Sequence, residues 1–235
     1  MSKKAAKESS GGFREWTKTI VVAVVLFVLI RSFLLQTFVI TSGSMKETLL
    51  VGDMIVVNRV ALGSPIPLVG GWVPGYSAPH RGDILVFQAP PRDPVQMTLV
   101  KRLVGVPGDT LQMRSGVLYV DGKAQVEPYI KRTPSPDVTD GLMDWQKEYL
   151  VGGVDPATYT PTRDNWGPLV IPADSYFMMG DNREESEDSR YWGLVDRRLI
   201  DGRPMFIYFS YNGESYRPFP WLREINWGRI GRTLR

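Results

Sequence analysis

Cysteine is absent from this chain of 235 residues, and histidine occurs once. Without thiols there is no cysteine nucleophile, no disulfide and no thiolate metal site, which suits either side of a bacterial membrane. With His80 alone, a multi-histidine metal site within one chain is impossible, and a Ser-His-Asp triad would have to use that single residue. It lies in the loop-like run "YSAPHRGD" and reads as a surface residue. A strong excess of one charge is lacking as well. With 28 Lys and Arg against 25 Asp and Glu, the net charge of +3 is too small to point to nucleic acid. Internal repeats and low-complexity tracts are missing beyond a basic start, and after residue 40 no segment is long and apolar enough for a membrane crossing.

What is present is a folded-type composition, 43% apolar and 23% charged, with material for one generous domain or two modest ones. Lys3, Lys4, Lys7, Arg14 and Lys18 crowd the start against only Glu8 and Glu15. The run Ile20–Ile30, "IVVAVVLFVLI", would reach only about 16 Å as a helix, short of the roughly 30 Å bilayer core. Extending it to Trp16–Leu35 supplies the required length. Arg31 near the far end can then snorkel, and Trp16 and Phe33 sit near the two boundaries. A cleavable signal peptide shares the basic start and apolar run. Against it, the apolar stretch continues through "SFLLQTFVI", with no small-x-small site directly after the first run. The expected layout is a cytoplasmic start at 1–15, a single transmembrane helix at 16–35 and an extracytoplasmic domain at 36–235, oriented by the positive-inside rule.

From residue 50 the pattern changes to short apolar or alternating runs punctuated by Gly, Pro and Asp. "DMIVVNRV", "GDILVFQAP", "TLVKRLVGVPGD", "TLQMRSGVLYVDG", "SYFMMGDN" and "PMFIYFSYN" favour strands, and "VDGK" favours a hairpin turn. The fold class is therefore mainly β. Residues 63–79, rich in Gly and Pro, read as a surface loop. The stretch 127–170 is less regular and reads as an insertion or subdomain.

For chemistry, residues 41–49 read "TSGSMKETL": a Gly- and Ser-containing turn, or the seat of a serine nucleophile. A serine without histidine needs another base, and a lysine neutralised by burial is the economical one. Of nine lysines, four belong to the basic start, and Lys46, Lys123, Lys131 and Lys147 lie in turn-like or polar stretches. Lys101 differs. In "LVKRLVG" read as a strand, Leu99, Lys101 and Leu103 share one face and Val100, Arg102 and Val104 the other. On pattern alone Lys101 is either a desolvated base or an edge-strand lysine that discourages aggregation. The acidic run "GDNREESEDSRYWG" (180–193) likewise is either a solvated loop or a set of ion pairs through Asp181, Arg183, Asp188 and Arg190 that holds Ser186 near a site. It lacks the spacing and central glycine of an EF-hand calcium loop.

Taken in order, "SGSM", "RGDILVF", "VKRLVGVPGD" and "GDNREESEDSRYWG" behind an apolar N-terminal run strongly resemble the bacterial type I signal peptidases, the membrane-bound Ser/Lys leader peptidases. The resemblance covers about residues 31–110 and 171–209. It implies a signal peptidase/repressor-protease-like β fold and a serine endopeptidase of the S26 family, without cofactor or metal. The implied partners are exported preproteins and the lipid bilayer of the bacterial inner membrane. It also implies Ser44 as nucleophile, Lys101 as general base, and Ser42 with the Ser44 N–H as oxyanion hole. Ser186 would orient the lysine, and Asp188, Arg190, Asp181 and Arg102 would give structural support. Phe38, Ile40, Met45, Leu49, Leu99 and Val100 fall at substrate-binding positions. Thr41 and Glu47 stand where the family commonly has proline. A self-cleaving Ser/Lys regulatory protease and a membrane-tethered, non-enzymatic peptide-binding domain are the competing readings.

Overall fold

The computed structural model describes residues 3–29, 35–65, 71–91 and 97–234. Helix α1 (Lys3–Leu29) is followed by strands β1 (Leu35–Val39), β2 (Asp53–Asn58), β3 (Gly63–Pro65), β4 (Trp72–Pro74), β5 (Ile84–Gln88), β6 (Thr98–Gly105) and β7 (Thr110–Arg114). Then come β8 (Val117–Val120), β9 (Lys123–Ala124), β10 (Trp166–Val170), β11 (Ser175–Met179), the one-turn helix α2 (Ser189–Trp192), β12 (Val195–Asp196) and β13 (Ile200–Ser210). A one-turn helix α3 (Pro220–Arg223) lies in the C-terminal tail.

Seven strands form one antiparallel sheet in the order β1-β2-β13-β5-β6-β11-β12. Alternation in the sequence becomes alternation in burial: along β2 every second residue from Asp53 is buried. Strands β5 and β6 are instead apolar on both faces. Leu85, Phe87 and Leu103 belong to one core cluster, and Ile84 and Val86 to another with Ile40, Met45, Leu49 and Ile55. A sheet covered on both sides gives its central strands two dry faces, and β6 carries Lys101 and Arg102 there.

A second sheet, β10-β7-β8-β9, holds the expected "VDGK" hairpin. Its turn places Asp121 at φ 50° and Gly122 at φ 74°, the left-handed pair that a two-residue hairpin requires. The irregular stretch 127–170 supplies β10 to this sheet. Its Met143, Trp145, Trp166 and Leu169 pack into one cluster with Val104, Leu111 and Phe177, so it shares a core with the strands that bear the site. Within the Gly- and Pro-rich stretch expected as a loop, β3 and β4 pair as a short hairpin, and residues 66–70 lie outside the described residues.

The N-terminal segment differs from the expected single span over 16–35. α1 begins already at Lys3, within the basic start, and ends at Leu29. Leu35 is the first residue of β1, opposite Asn58 of β2. Residues 30–34 of the expected span lie outside the described residues. The part from Trp16 to the end of α1 would reach about 21 Å and still includes Lys18, and the turns before it carry four basic and two acidic side chains. Among the described residues no helix is long and apolar enough to cross a membrane.

Candidate active site

Ser44 sits in a single 3-10 turn, Gly43–Met45, entered from extended Ser42 (φ −129°, ψ 153°). The turn lies between β1 and β2 and is anchored from below by its own apolar residues. Met45 and Leu49 are fully buried, and the N–H groups of Thr48 and Leu49 donate to Met45 O at 3.1 and 2.8 Å. From the side, the loop after β11 grips it: Asn182 donates its backbone N–H to Ser44 O at 3.0 Å and its side-chain amide to Gly43 O at 3.1 Å. Ser44 is thereby 9% exposed, with its hydroxyl 3.4 Å from that of the exposed Ser42.

Beside the two serines runs a small cleft walled by Val39, Ile40, Thr41 and Met45 on one side and by Met97 to Val100 of the β6 edge on the other. Of the six expected substrate-binding residues, Ile40, Met45, Leu99 and Val100 line this cleft, while Phe38 and Leu49 lie in the apolar cluster behind it. Met97 and Thr98 also line it. They belong to the cleft through the strand pairing rather than through any motif.

Lys101 stands opposite Leu85 in the β5–β6 register, between Leu99 and Leu103 on its own strand. It is 3% exposed, and its ammonium donates to Ser186 Oγ at 3.0 Å. Burial drags its pKa from 10.5 to about 8. Asp188 opposes that fall, Arg190 adds to it, and Glu187 and Asp181 act with Asp188. The result is a lysine that is substantially neutral in mildly basic water.

The acidic run is not a solvated loop: Asp181, Asn182, Arg183, Ser186, Asp188, Ser189 and Arg190 are all buried. Asp188 pairs with Arg190 through two bonds of 2.8 Å, accepts from Gly180 N–H at 3.0 Å and caps α2 through the Arg190 N–H. Burial alone would raise the Asp188 carboxyl, but the Arg190 guanidinium, Lys101 and the Gly180 N–H together outweigh it and hold the pKa low. Arg102 forks onto Asp181 at 2.8 and 2.7 Å and donates a third bond to Gly82 O at 2.7 Å. Asp181 also accepts the Thr48 hydroxyl at 2.5 Å, which ties this pair back to the serine turn.

Gly180 lies where the two halves of the site meet. A Cβ there would stand 2.2 Å from Ser186 Oγ and 2.6 Å from Ser44 O, so only glycine lets the Ser44 turn and Ser186 approach each other. Sequence reasoning did not single out Gly180, Asn182 or Thr48, although the first two lie inside the acidic motif. His80 is exposed beside Asp83 and does not line the cleft, and Lys46 is half-exposed, 3.9 Å from Glu214. Among the described residues no cluster of acidic or His side chains could hold a metal ion.

Comparison with known proteins bears on this arrangement. The family described as "Signal peptidase, peptidase S26" matches residues 13–209. Signal peptidase I of Bacillus licheniformis is 33% identical over 213 residues, 90% of this chain and 97% of that protein. Signal peptidase I of Pseudomonas aeruginosa is 34% identical over 232 residues, 92% of this chain and 78% of that protein. A crystal structure of a signal peptidase I from Enterococcus faecalis V583 aligns with 31% identity and a TM-score of 0.36, covering 54% of this chain and 97% of that one. A match over most of both chains, at one third identity, establishes that this chain belongs to the S26 signal peptidase family.

Proposed function

We propose that this chain removes signal peptides from exported preproteins, with Ser44 as nucleophile and Lys101 as general base. The observation that carries the reading is Lys101: a buried lysine with its pKa lowered to about 8, bonded to Ser186 and set on the strand that walls the serine cleft. Neutral Lys101 takes the Ser44 proton as Ser44 Oγ attacks the scissile carbonyl. The oxyanion forms between the Ser44 N–H and the Ser42 hydroxyl, which stands on the same side of the turn as Ser44 Oγ. Lys101, now protonated, gives its proton to the leaving amine and then draws one from the water that hydrolyses the acyl-enzyme. Ser186 fixes the direction of the ammonium. The pairs Asp188–Arg190 and Asp181–Arg102 fix Ser186 and the Ser44 turn. An extended peptide would lie in the cleft between residues 39–41 and 97–100, where a small space lined by Ile40 and Val100 favours small side chains.

Membrane attachment through the N-terminal segment belongs to the same reading, with residues 1–15 cytoplasmic, 16–35 in the bilayer and 36–235 outside. It is supported by α1 itself: Phe13, Trp16, Ile20, Val21, Val22, Val24, Leu26 and Phe27 are all exposed, an apolar surface that nothing among the described residues covers. Such attachment would hold the cleft where translocated chains emerge.

The test is cleavage of a preprotein by purified wild type, Ser44→Ala and Lys101→Ala. Both variants should be folded and inactive, and full activity in either sinks the dyad. For the anchor, release of the full chain from bacterial membranes by alkaline carbonate would refute attachment through a span.

A further inference from the structure

Residues 127–131 open the stretch 127–170, which lies outside the motifs that carry the resemblance, yet they run along the loop that grips Ser44. Lys131 N–H donates to Asp181 O at 2.7 Å, and Arg183 N–H returns a bond to Lys131 O at 3.2 Å. Four residues earlier, the Glu127 carboxylate meets the Arg183 guanidinium end-on, with Nη1 at 3.0 Å and Nη2 at 2.5 Å. The pair is dry: the Arg183 side chain is 1% exposed and that of Glu127 5%. Between them on the strap, Tyr129 donates its hydroxyl to Glu127 at 3.0 Å and offers its ring to Arg102, whose guanidinium carbon lies 3.8 Å from the ring centre. Burial, followed by the Glu127 charge, pushes the Tyr129 phenol up, so it remains a donor.

We propose that Glu127 is a positioning residue for the proteolytic reaction, acting through Arg183 on the Gly180 junction between Ser44 and Ser186. The inference rests on the Ser44/Lys101 reading above. The path is short and fully bonded. Arg183 Nε donates to Gly180 O at 3.1 Å, and Gly180 is the point at which an added carbon would strike both Ser186 Oγ and Ser44 O. Arg183 O accepts from Arg190 Nη2 at 2.7 Å, which joins the same residue to the Asp188–Arg190 pair behind Ser186. Arg183 thus sets both flanks of Ser186, and Glu127 is the one carboxylate that neutralises it among the described residues. Removing one partner of a buried pair leaves an uncompensated charge that must shift to find compensation. Any shift of Arg183 moves Gly180 O with it. Glu127 lines no part of the peptide cleft, so the effect falls on the geometry of reaction rather than on binding.

The experiment uses the full chain in detergent, with a preprotein as substrate, and measures kcat, KM and the unfolding midpoint for wild type, Glu127→Gln, Glu127→Asp and Arg183→Lys. Each is assayed below its own midpoint. Glu127→Gln should lower kcat about tenfold or more with KM within about twofold, since an ångström of misplacement can cost about 10² in rate. Glu127→Asp should recover part of that loss. Arg183→Lys, which keeps the charge but lacks the Nε bond to Gly180 O, should show the same kcat-only fall, and it carries the test if Glu127→Gln does not fold. Wild-type kcat in either folded variant overturns the proposal, as does a rise in KM at unchanged kcat. Lys101→Ala run in parallel separates the two levels: activity there refutes the dyad itself. Inactivity there, beside a fully active Glu127→Gln, refutes only the role of Glu127.

Discussion

Replacing Lys101 by methionine should abolish activity and make the protein more stable in neutral water. Lys101 is 3% exposed, and burial takes its pKa from 10.5 to about 8 against the pull of Asp188. Below pH 8 the folded protein therefore holds a proton that the unfolded chain binds more tightly. A difference of 2.5 units, at about 1.4 kcal/mol each, corresponds to about 3 kcal/mol. The sign follows from proton counts. Above pH 10.5 neither state is protonated and the cost is absent. Between 10.5 and 8 the unfolded chain is protonated and the folded one is not, so stability falls as pH falls. Below 8 both are protonated and the full cost remains. Methionine fills a similar volume without charge, and the loss of the Ser186 bond costs about 1 kcal/mol, leaving a gain of about 2 kcal/mol at pH 7. Denaturant unfolding followed by tryptophan fluorescence at pH 7 and pH 9.5 measures it. The variant should exceed wild type at pH 7, and the gap should narrow at 9.5. A variant less stable than wild type at pH 7, or a gap independent of pH, would refute the reasoning. The same titration should appear in kcat, rising to a plateau with a midpoint near 8. At pH 7 about one tenth of the lysine is then neutral, against about 0.03% for an unshifted one.

Two further substitutions probe the serine turn. Ser42→Ala should lower kcat by about 10²–10³ with little change in KM, as loss of one oxyanion donor; an unchanged kcat would remove Ser42 from that role. Gly180→Ala should be nearly inactive and destabilised by about 1–3 kcal/mol, because its Cβ meets the Ser44 carbonyl oxygen, which has no rotamer to move to. Thermal unfolding beside the rate assay checks it, and a fully active, equally stable variant would contradict the close approach.

The burial of Lys101 was half legible because the evidence for it is local: Leu99 and Leu103, two residues to either side, mark a dry strand face, although the pattern alone left an edge-strand lysine open. Strands β2, β5, β6, β11 and β13 of the main sheet were legible from local pattern too, whereas β1 and β12 were not. The far end of the 16–35 reading was the least legible part, since residues 30–34 lie outside the described residues and Leu35 opens β1. Apolar content says nothing about backbone hydrogen bonds, and Leu35–Val39 spends its bonds on β2. The acidic run was ambiguous because what decides its burial is remote. Asp181 is met by Arg102, 79 residues away, Ser186 by Lys101 at 85, and Arg183 by Glu127 at 56. Sequence spacing carries no trace of those meetings, and only the resemblance to signal peptidases joined some of them in advance.

Glu47 shows that the support of this turn comes from such remote contacts rather than from local chain stiffness. It stands where the family commonly has proline, yet its φ is +83°, a backbone that a proline ring locked near −65° does not adopt. A glutamate held there is strained, and the strain must be offset by what surrounds it. The residues on either side supply that. Asn182 holds the carbonyls of Gly43 and Ser44, Thr48 gives its hydroxyl to Asp181, and Arg229 donates to Thr48 O at 3.0 Å while forking onto buried Asp53. A stiff ring fixes one torsion, whereas these bonds fix the turn against two separate parts of the fold, the loop at 180–190 and the C-terminal tail. Ser44, the proposed nucleophile, is therefore only as well placed as the loop at 180–190 that holds it, and Arg183 of that loop is bonded in turn to Glu127. Rigidity at Ser44 is in this protein a property of tertiary packing.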